Sequence, residues 1–320
     1  MTWWQALIRA GAVPGAGSNR DDPEPAERAE LVEDGELEAH PVSAQPRIPR
    51  ASFLNGHERW CVRAYDRVIP LVDAYVAAAV RRRDERGTLQ TTAVRNRSFA
   101  VAAVAGMTPD MRALLEAGAS DIEPVDPEFV GQPARYLEQV ESIVRRARAH
   151  LERELAETAI QGLGGEEWLV LDGLLSRSPT VARHERALGV IKSHGAQFLE
   201  GRGLERALTL PEGHRTSVFA VRGGHTRTET YSWYLRLWPW EGNDLLYGLL
   251  RVEARAHPDT VQRASEISGW LWAERAPLAT PATRWDRLLY PLHQVEEYLN
   301  ALAPRDLHVQ RASRLPRIAS

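Results

Sequence analysis

The stretch Trp168-Leu169-Val170-Leu171-Asp172-Gly173-Leu174-Leu175 decides how this chain folds. Gly164-Gly165 open it and Ser176-Arg177-Ser178-Pro179 close it. An apolar run of this length between turn residues reads as a strand buried on both faces, as in the sheets of α/β proteins. Asp172 stands where that strand ends. An ionised carboxylate in apolar surroundings must be paired, hydrogen-bonded or bound to a metal. Loops at strand ends of α/β sheets are also where sites are built. The plain alternative is an Asp-Gly turn.

Working outward, residues 134–160 give the clearest helix, with Tyr136, Leu137, Val140, Ile143, Val144, Ala147, Leu151 and Leu155 on one stripe. Residues 89–105 read as one or two strands. The segment 187–198 follows the Asp172 strand, and further strands are expected at 217–221, 231–237 and 245–253. Helices over 258–274 and 285–302 complete the series. Tyr65, Val68, Ile69, Val72, Val76 and Val80 recur at helical spacing, with Pro70 in a first turn and Gly87 as a stop. This order predicts an α/β protein, a mixed sheet flanked by helices.

The 320 residues suffice for a full core in one or two domains. A net charge of -3 excludes a generally basic coat but leaves local patches, at Arg81-Arg82-Arg83 and at Arg145, Arg146 and Arg148. The single cysteine, Cys61, excludes an intrachain disulfide framework and any multi-cysteine zinc site, which fits a reducing cytoplasm. No apolar run approaches the roughly 18 residues of a membrane span. The opening Met1-Thr2-Trp3-Trp4 lacks the features of a signal peptide, so a cytoplasmic protein without membrane attachment is expected. Residues 14–50 are acidic and carry Pro41, Pro46 and Pro49, a composition that predicts a flexible or partner-ordered arm. Trp3, Trp4, Leu7 and Ile8 ahead of it offer a compact apolar anchor for a partner or a second copy, with packing on the chain's own core as the alternative. The domain reading is an anchor and arm over 1–50, one domain over 51–305 and a tail over 306–320.

Several polar residues sit at the ends or insides of apolar elements. Glu152, Glu154 and Glu157 close the long helix ahead of Asp172. Glu253 ends Leu250-Arg251-Val252-Glu253, where an ion pair with Arg251 is the structural alternative. His293 lies within Leu288-Leu289-Tyr290-Pro291-Leu292-His293, where a hydrogen-bonded core histidine is the alternative. Oxygen ligands with at most one histidine suit Mg²⁺ or Mn²⁺, and two such ions serve phosphodiester hydrolysis.

These segments, in this order, resemble the NurA nuclease family over roughly residues 134–302. Leu169 to Leu175 is similar to its second aspartate motif, and Gly189-Val190-Ile191-Lys192 to its lysine-bearing segment. Leu250 to Glu253 is similar to its Arg-hydrophobic-Glu strand, and Leu289 to His293 to the histidine of its C-terminal helix. The resemblance implies an RNase H-like fold and a metal-dependent DNase using Mn²⁺ or Mg²⁺ in DNA end processing or anti-phage defence. It also implies a homodimer working on DNA with a HerA-like hexameric ATPase. By the same resemblance Asp172, His293 and a preceding-helix carboxylate, Glu154 or Glu152, form the catalytic set. Lys192, Arg145, Arg146 and Arg148 would contact phosphates, with a solvated helix face as the alternative for the arginines. The family opens its set with Val-Asp-Gly-Ser on the first strand. The nearest matches here are Ala103-Val104-Ala105-Gly106-Met107, with Ala105 in the aspartate's place, and Leu71-Val72-Asp73-Ala74. If Ala105 is the equivalent, one metal ligand is missing, and the chain is then a degenerate structural or regulatory subunit.

Overall fold

In the computed structural model, residues 29–308 are described, apart from 44, 49, 195–196, 223–227 and 279–284. Along the chain run β1 (Ala29–Leu31), β2 (Ala39–Pro41), β3 (Ala51–Asp66), β4 (Ile69–Arg83), β5 (Leu89–Ala102), α1 (Pro109–Gly118) and β6 (Ile122–Pro124). There follow α2 (Pro133–Gln161), β7 (Trp168–Asp172), α3 (Pro179–Ala182), β8 (Ala187–Ile191), α4 (Gly201–Leu208), β9 (His214–Thr216) and β10 (Phe219–Val221). The last elements are β11 (Thr230–Arg236), β12 (Leu249–Arg255), α5 (Pro258–Ala273) and α6 (Tyr290–Leu302). The protein is α/β, with parallel and antiparallel strands in one sheet system flanked by helices.

The chain divides into two units. The first holds the described residues up to Leu54, with Arg82–Gln90 and Ala156–Gln294. Its strands run β1-β10-β11-β12-β8-β7-β3, with β2 and β9 paired beside β11. The start of β3, β7 and β8 are parallel, in register Leu54↔Leu171 and Leu171↔Gly189, and β12 turns antiparallel to β8. Trp168 to Leu171 and all of β8 are buried, which is why their sequences are continuously apolar. Helix α5 covers part of this sheet: Trp233 Nε1 donates to Ser268 Oγ at 2.9 Å, and Trp270 meets Trp168 edge-on at 5.3 Å.

The second unit holds Asn55–Arg81, Thr91–Leu155 and the described residues from Val295 onward. Its strand order is β3-β4-β5-β6. Two residues join β3 to β4, with Arg67 at φ 55°, a connection that only antiparallel neighbours allow. Helix α2 buries Tyr136, Val140, Ile143, Val144, Leu151 and Leu155, the stripe read from the sequence. Tyr136 accepts the Ala103 N–H at 2.9 Å and donates to the Pro70 carbonyl at 3.0 Å. A three-strand meander, a helix, then two strands parallel to the first is a connectivity compatible with an RNase H-like sheet.

Three expectations are corrected. The helical spacing after Val62 belongs to strands β3 and β4. Val72, Ala74, Val76, Ala78 and Val80 are also two apart, and β-branched residues at period two favour a strand once long neighbours pair with it. Tyr65 and Val68, assigned to the buried face, are exposed. Gly87 ends no helix but lies in the β4–β5 turn, where Asp84 Oδ1 accepts the amides of Arg86 and Thr88. Residues 29–50, expected in a mobile arm, carry β1 and β2 and bury Leu37, Val42 and Ile48. Composition alone missed this because its acids are used: Glu33 accepts both Arg215 guanidinium nitrogens at 2.7 Å. The anchor at 1–13, the rest of the arm to 28 and the tail from 309 lie outside the described residues. Residues 51–305, read as one domain, are shared between the two units. No helix among the described residues is long and apolar enough to cross a membrane.

The Glu33 pair gives a pH dependence. Burial would raise this carboxyl, but hydrogen bonds from Arg215 and the Val218 amide, with the charges of Arg215 and His40, hold it below the ordinary carboxylate range. A carboxyl lowered on folding stabilises fully above its unfolded pKa, and that contribution is lost as pH falls through the folded value. The thermal midpoint is therefore expected to drop on acidification below about pH 4, with a shallower drop in Glu33→Gln. Equal slopes in the two proteins would contradict this.

Candidate functional site

Strands β7 and β8 end side by side, in register Asp172↔Val190. Two residues past Val190, and so on the same side of the extended chain, Lys192 Nζ donates to Asp172 Oδ2 at 2.5 Å. Both side chains are about 15% exposed, at 15% and 14%. The Lys192 carbonyl is held in turn by Arg287 Nη1 at 3.0 Å.

The loop after Asp172 is fixed from two sides. Glu253 Oε2 accepts the amides of Leu175 at 2.9 Å and Ser176 at 3.4 Å, while Oε1 accepts Arg251 Nη1 at 2.7 Å. Arg251 also reaches Ser232 Oγ and stacks over Phe198. Both members of the pair are buried, so the structural alternative raised for Glu253 and Arg251 describes their geometry. On the other side, a Cβ on Gly189 would lie 2.5 Å from the Gly173 carbonyl and 3.1 Å from Leu175 Cγ. Backbone cannot yield as a flexible side chain can. Gly189→Ala is expected to cost about 2–3 kcal/mol and to displace the Asp172 loop, as read by urea unfolding; a change under about 0.5 kcal/mol would contradict the close approach.

The helix carboxylates separate. Glu154 is exposed and faces His150 at 3.2 Å. Glu157 accepts Ser178 Oγ at 2.7 Å. Glu152 is packed in the second unit: a Cβ on Gly56 would lie 2.0 Å from its Oε1. Arg148 bridges Glu152 and Glu58, at 3.0 and 2.9 Å. Arg145 pairs with Glu141 and Arg146 with Ser142, each one turn back on α2. Asp73 pairs with Arg63 at 2.9 Å on exposed strand surface. His293 packs its ring on Trp285, centroids 4.8 Å apart.

The structure thus joins Asp172 to Lys192, Glu253 to Arg251, and Glu152 to Arg148. Among the described residues, the group of three potential metal ligands is Glu33, Asp34 and His40, and it contains none of the predicted ligands. That group already holds a cation, the Arg215 guanidinium on Glu33. Asp34 Oδ2 accepts His40 Nε2 at 2.8 Å and Ser217 Oγ at 2.5 Å.

One residue escaped the sequence reading. Phe53-Leu54-Asn55-Gly56 repeats the pattern of Val170-Leu171-Asp172-Gly173, apolar-apolar-Asx-Gly. Along β3 and β7 the register pairs are Phe53↔Val170 and Leu54↔Leu171. Each chain then proceeds to its Asx-Gly. The first strand of the meander therefore carries Asn55, and Ala105 lies in a 3-10 turn beyond β5. The repeated four-residue pattern was the available signal, obscured because its third residue is Asn in one copy and Asp in the other. No protein-family model matches the chain, and no curated protein does.

Proposed function

We propose that this chain is a NurA-like subunit, built on an RNase H-like sheet, that has lost metal-dependent cleavage. On this reading it serves a HerA-like ATPase complex as a DNA-engaging structural or regulatory component. The observation that carries it is Asn55, a neutral amide at the first-strand position where the resemblance calls for an aspartate. A metal centre needs anionic oxygen donors free to bind. Asp172 and Glu152 each carry a basic side chain instead, Lys192 and Arg148. The donor set does not fit the Mn²⁺ or Mg²⁺ pair that the resemblance implies.

DNA engagement rests on Arg145 and Arg146. The exposed Arg145–Glu141 ion pair within one helix is worth only about 0.3–0.5 kcal/mol, and Arg146 bonds a neutral hydroxyl, so these two arginines can exchange their partners for phosphates. Arg148, held by two carboxylates, is committed.

The second reading is an active deoxyribonuclease, favoured by the position of the Asp172 carboxylate at the end of parallel strands. A cleavage assay separates the two. Single- and double-stranded DNA are incubated with the chain and Mn²⁺ or Mg²⁺, with and without the ring ATPase. Retarded but intact DNA is the expected result. Metal-dependent products abolished by Asp172→Ala would establish the active reading.

A further inference from the structure

At the end of the first unit's sheet opposite Asp172, where β7 and β8 begin and β12 ends, lies a cavity of about 560 Å³. Its size is within the range of small-molecule sites. Arg186, just ahead of β8, and Arg255, the last residue of β12, line it together with Ala254, Ile267, Trp168, Trp270 and Arg263, whose guanidinium lies over both tryptophan rings.

The two arginines are under-used. Arg255 is half-buried, and its side chain makes no hydrogen bond or ion pair among the described residues, while its carbonyl accepts Thr260 Oγ1 at 2.7 Å. Arg186 has a buried Nε–H without an acceptor, and its nearest carboxylate, Glu185 at 3.5 Å, is mostly exposed. Buried donors without partners are rare in native proteins and call for an explanation such as an anion. The two guanidiniums also act together on one neighbour: burial first, then Arg186 and Arg255, hold the His184 ring below its ordinary pKa. The remaining acids of the cavity are engaged or exposed. Glu266 takes Arg263 at 2.9 Å, Asp259 faces His257 at 3.2 Å, and Glu166 is solvent-exposed.

We infer that this cavity binds a phosphate monoester, its dianion held by Arg186 and Arg255 and its body against the Ile267 and tryptophan wall. Two planar guanidiniums, one without a side-chain partner among the described residues and the other with a free buried Nε–H, suit a dianionic group with several acceptor oxygens better than a single charge. The site is independent of Asp172 and of any cleavage chemistry.

The test is titration of the full chain with inorganic phosphate, read by calorimetry and by the thermal midpoint. Saturable binding is expected, weakened about tenfold or more in Arg255→Gln through loss of a charge-assisted bond. The midpoint of the unliganded variant should match the wild type, since the Arg255 side chain has no partner to lose among the described residues. Asp172→Asn should bind as the wild type does, which separates this result from the fate of the nuclease-fold reading. Competition with 5′-phosphorylated and 5′-hydroxyl oligonucleotides identifies the source. Displacement by the phosphorylated strand alone assigns a DNA end, and displacement by neither assigns a free small ester. Equal displacement by both, absence of saturable phosphate binding, or unaltered affinity in Arg255→Gln would overturn the proposal.

Discussion

Replacing Arg236 with methionine should destabilise the protein by about 3–5 kcal/mol, the range seen when a buried charge network loses a member. Arg236 is fully buried on β11, yet among the described residues no carboxylate pairs with it. Its guanidinium donates instead to four carbonyls: Leu208 at 2.6 Å, Leu210 at 3.0 Å, Leu245 at 3.0 Å and Tyr247. Burial, the largest influence, with repulsion from Arg287, pulls its pKa down to about 10, so it stays charged at neutral pH. The residue ties the end of α4 to the segment ahead of β12. Methionine fills much of the volume but leaves buried carbonyls without donors, each costing about 1–3 kcal/mol. Lysine keeps the charge but not the planar fork that reaches four acceptors. Urea unfolding of Arg236→Met and Arg236→Lys checks this. A loss below about 1 kcal/mol in the methionine variant would mean that water satisfies those carbonyls.

On the proposed reading, Asn55→Asp in a Lys192→Met,Arg148→Met background should give the chain Mn²⁺-dependent DNA cleavage, because the two background substitutions release Asp172 and Glu152 from their cations. The substitution adds an anionic oxygen beside Gly56, over which the Glu152 carboxylate already lies. Metal stabilisation of developing charge is worth several kcal/mol, so a gain on the order of 10²-fold over the wild type is expected. The wild type and the Lys192→Met,Arg148→Met background serve as controls. Equal rates in that background with and without Asn55→Asp would remove Asn55 from the explanation.

Much of the fold was legible because burial writes itself into composition. The unbroken apolar runs of β7 and β8 and the single stripe of α2 admit few readings. The β3–β4 hairpin was misread because Val72, Val76 and Val80, four residues apart, satisfy two periodicities, and only strand partners decide between them. The strands β1 and β2 were hidden because their charged residues look solvated until Arg215, remote in sequence, is placed on Glu33. The site was less legible still. Asp172 and Lys192 were identified individually, but their direct pairing depends on a parallel register that spacing does not reveal. Glu253 was read as a carboxylate at a strand end, and only its two amide bonds assign it to holding the Asp172 loop. Asn55 went unseen because an Asn-Gly pair ordinarily signals a turn, whereas here it lies inside a 16-residue strand.

The central claim is that Asp172 and Glu152 are neutralised by Lys192 and Arg148 in place of a metal. Its most direct measurement is a calorimetric titration of the wild-type chain with Mn²⁺, beside Asp172→Ala. No saturable binding that depends on Asp172 is predicted. A stoichiometric Mn²⁺ site that disappears in Asp172→Ala would contradict the account and restore the active nuclease.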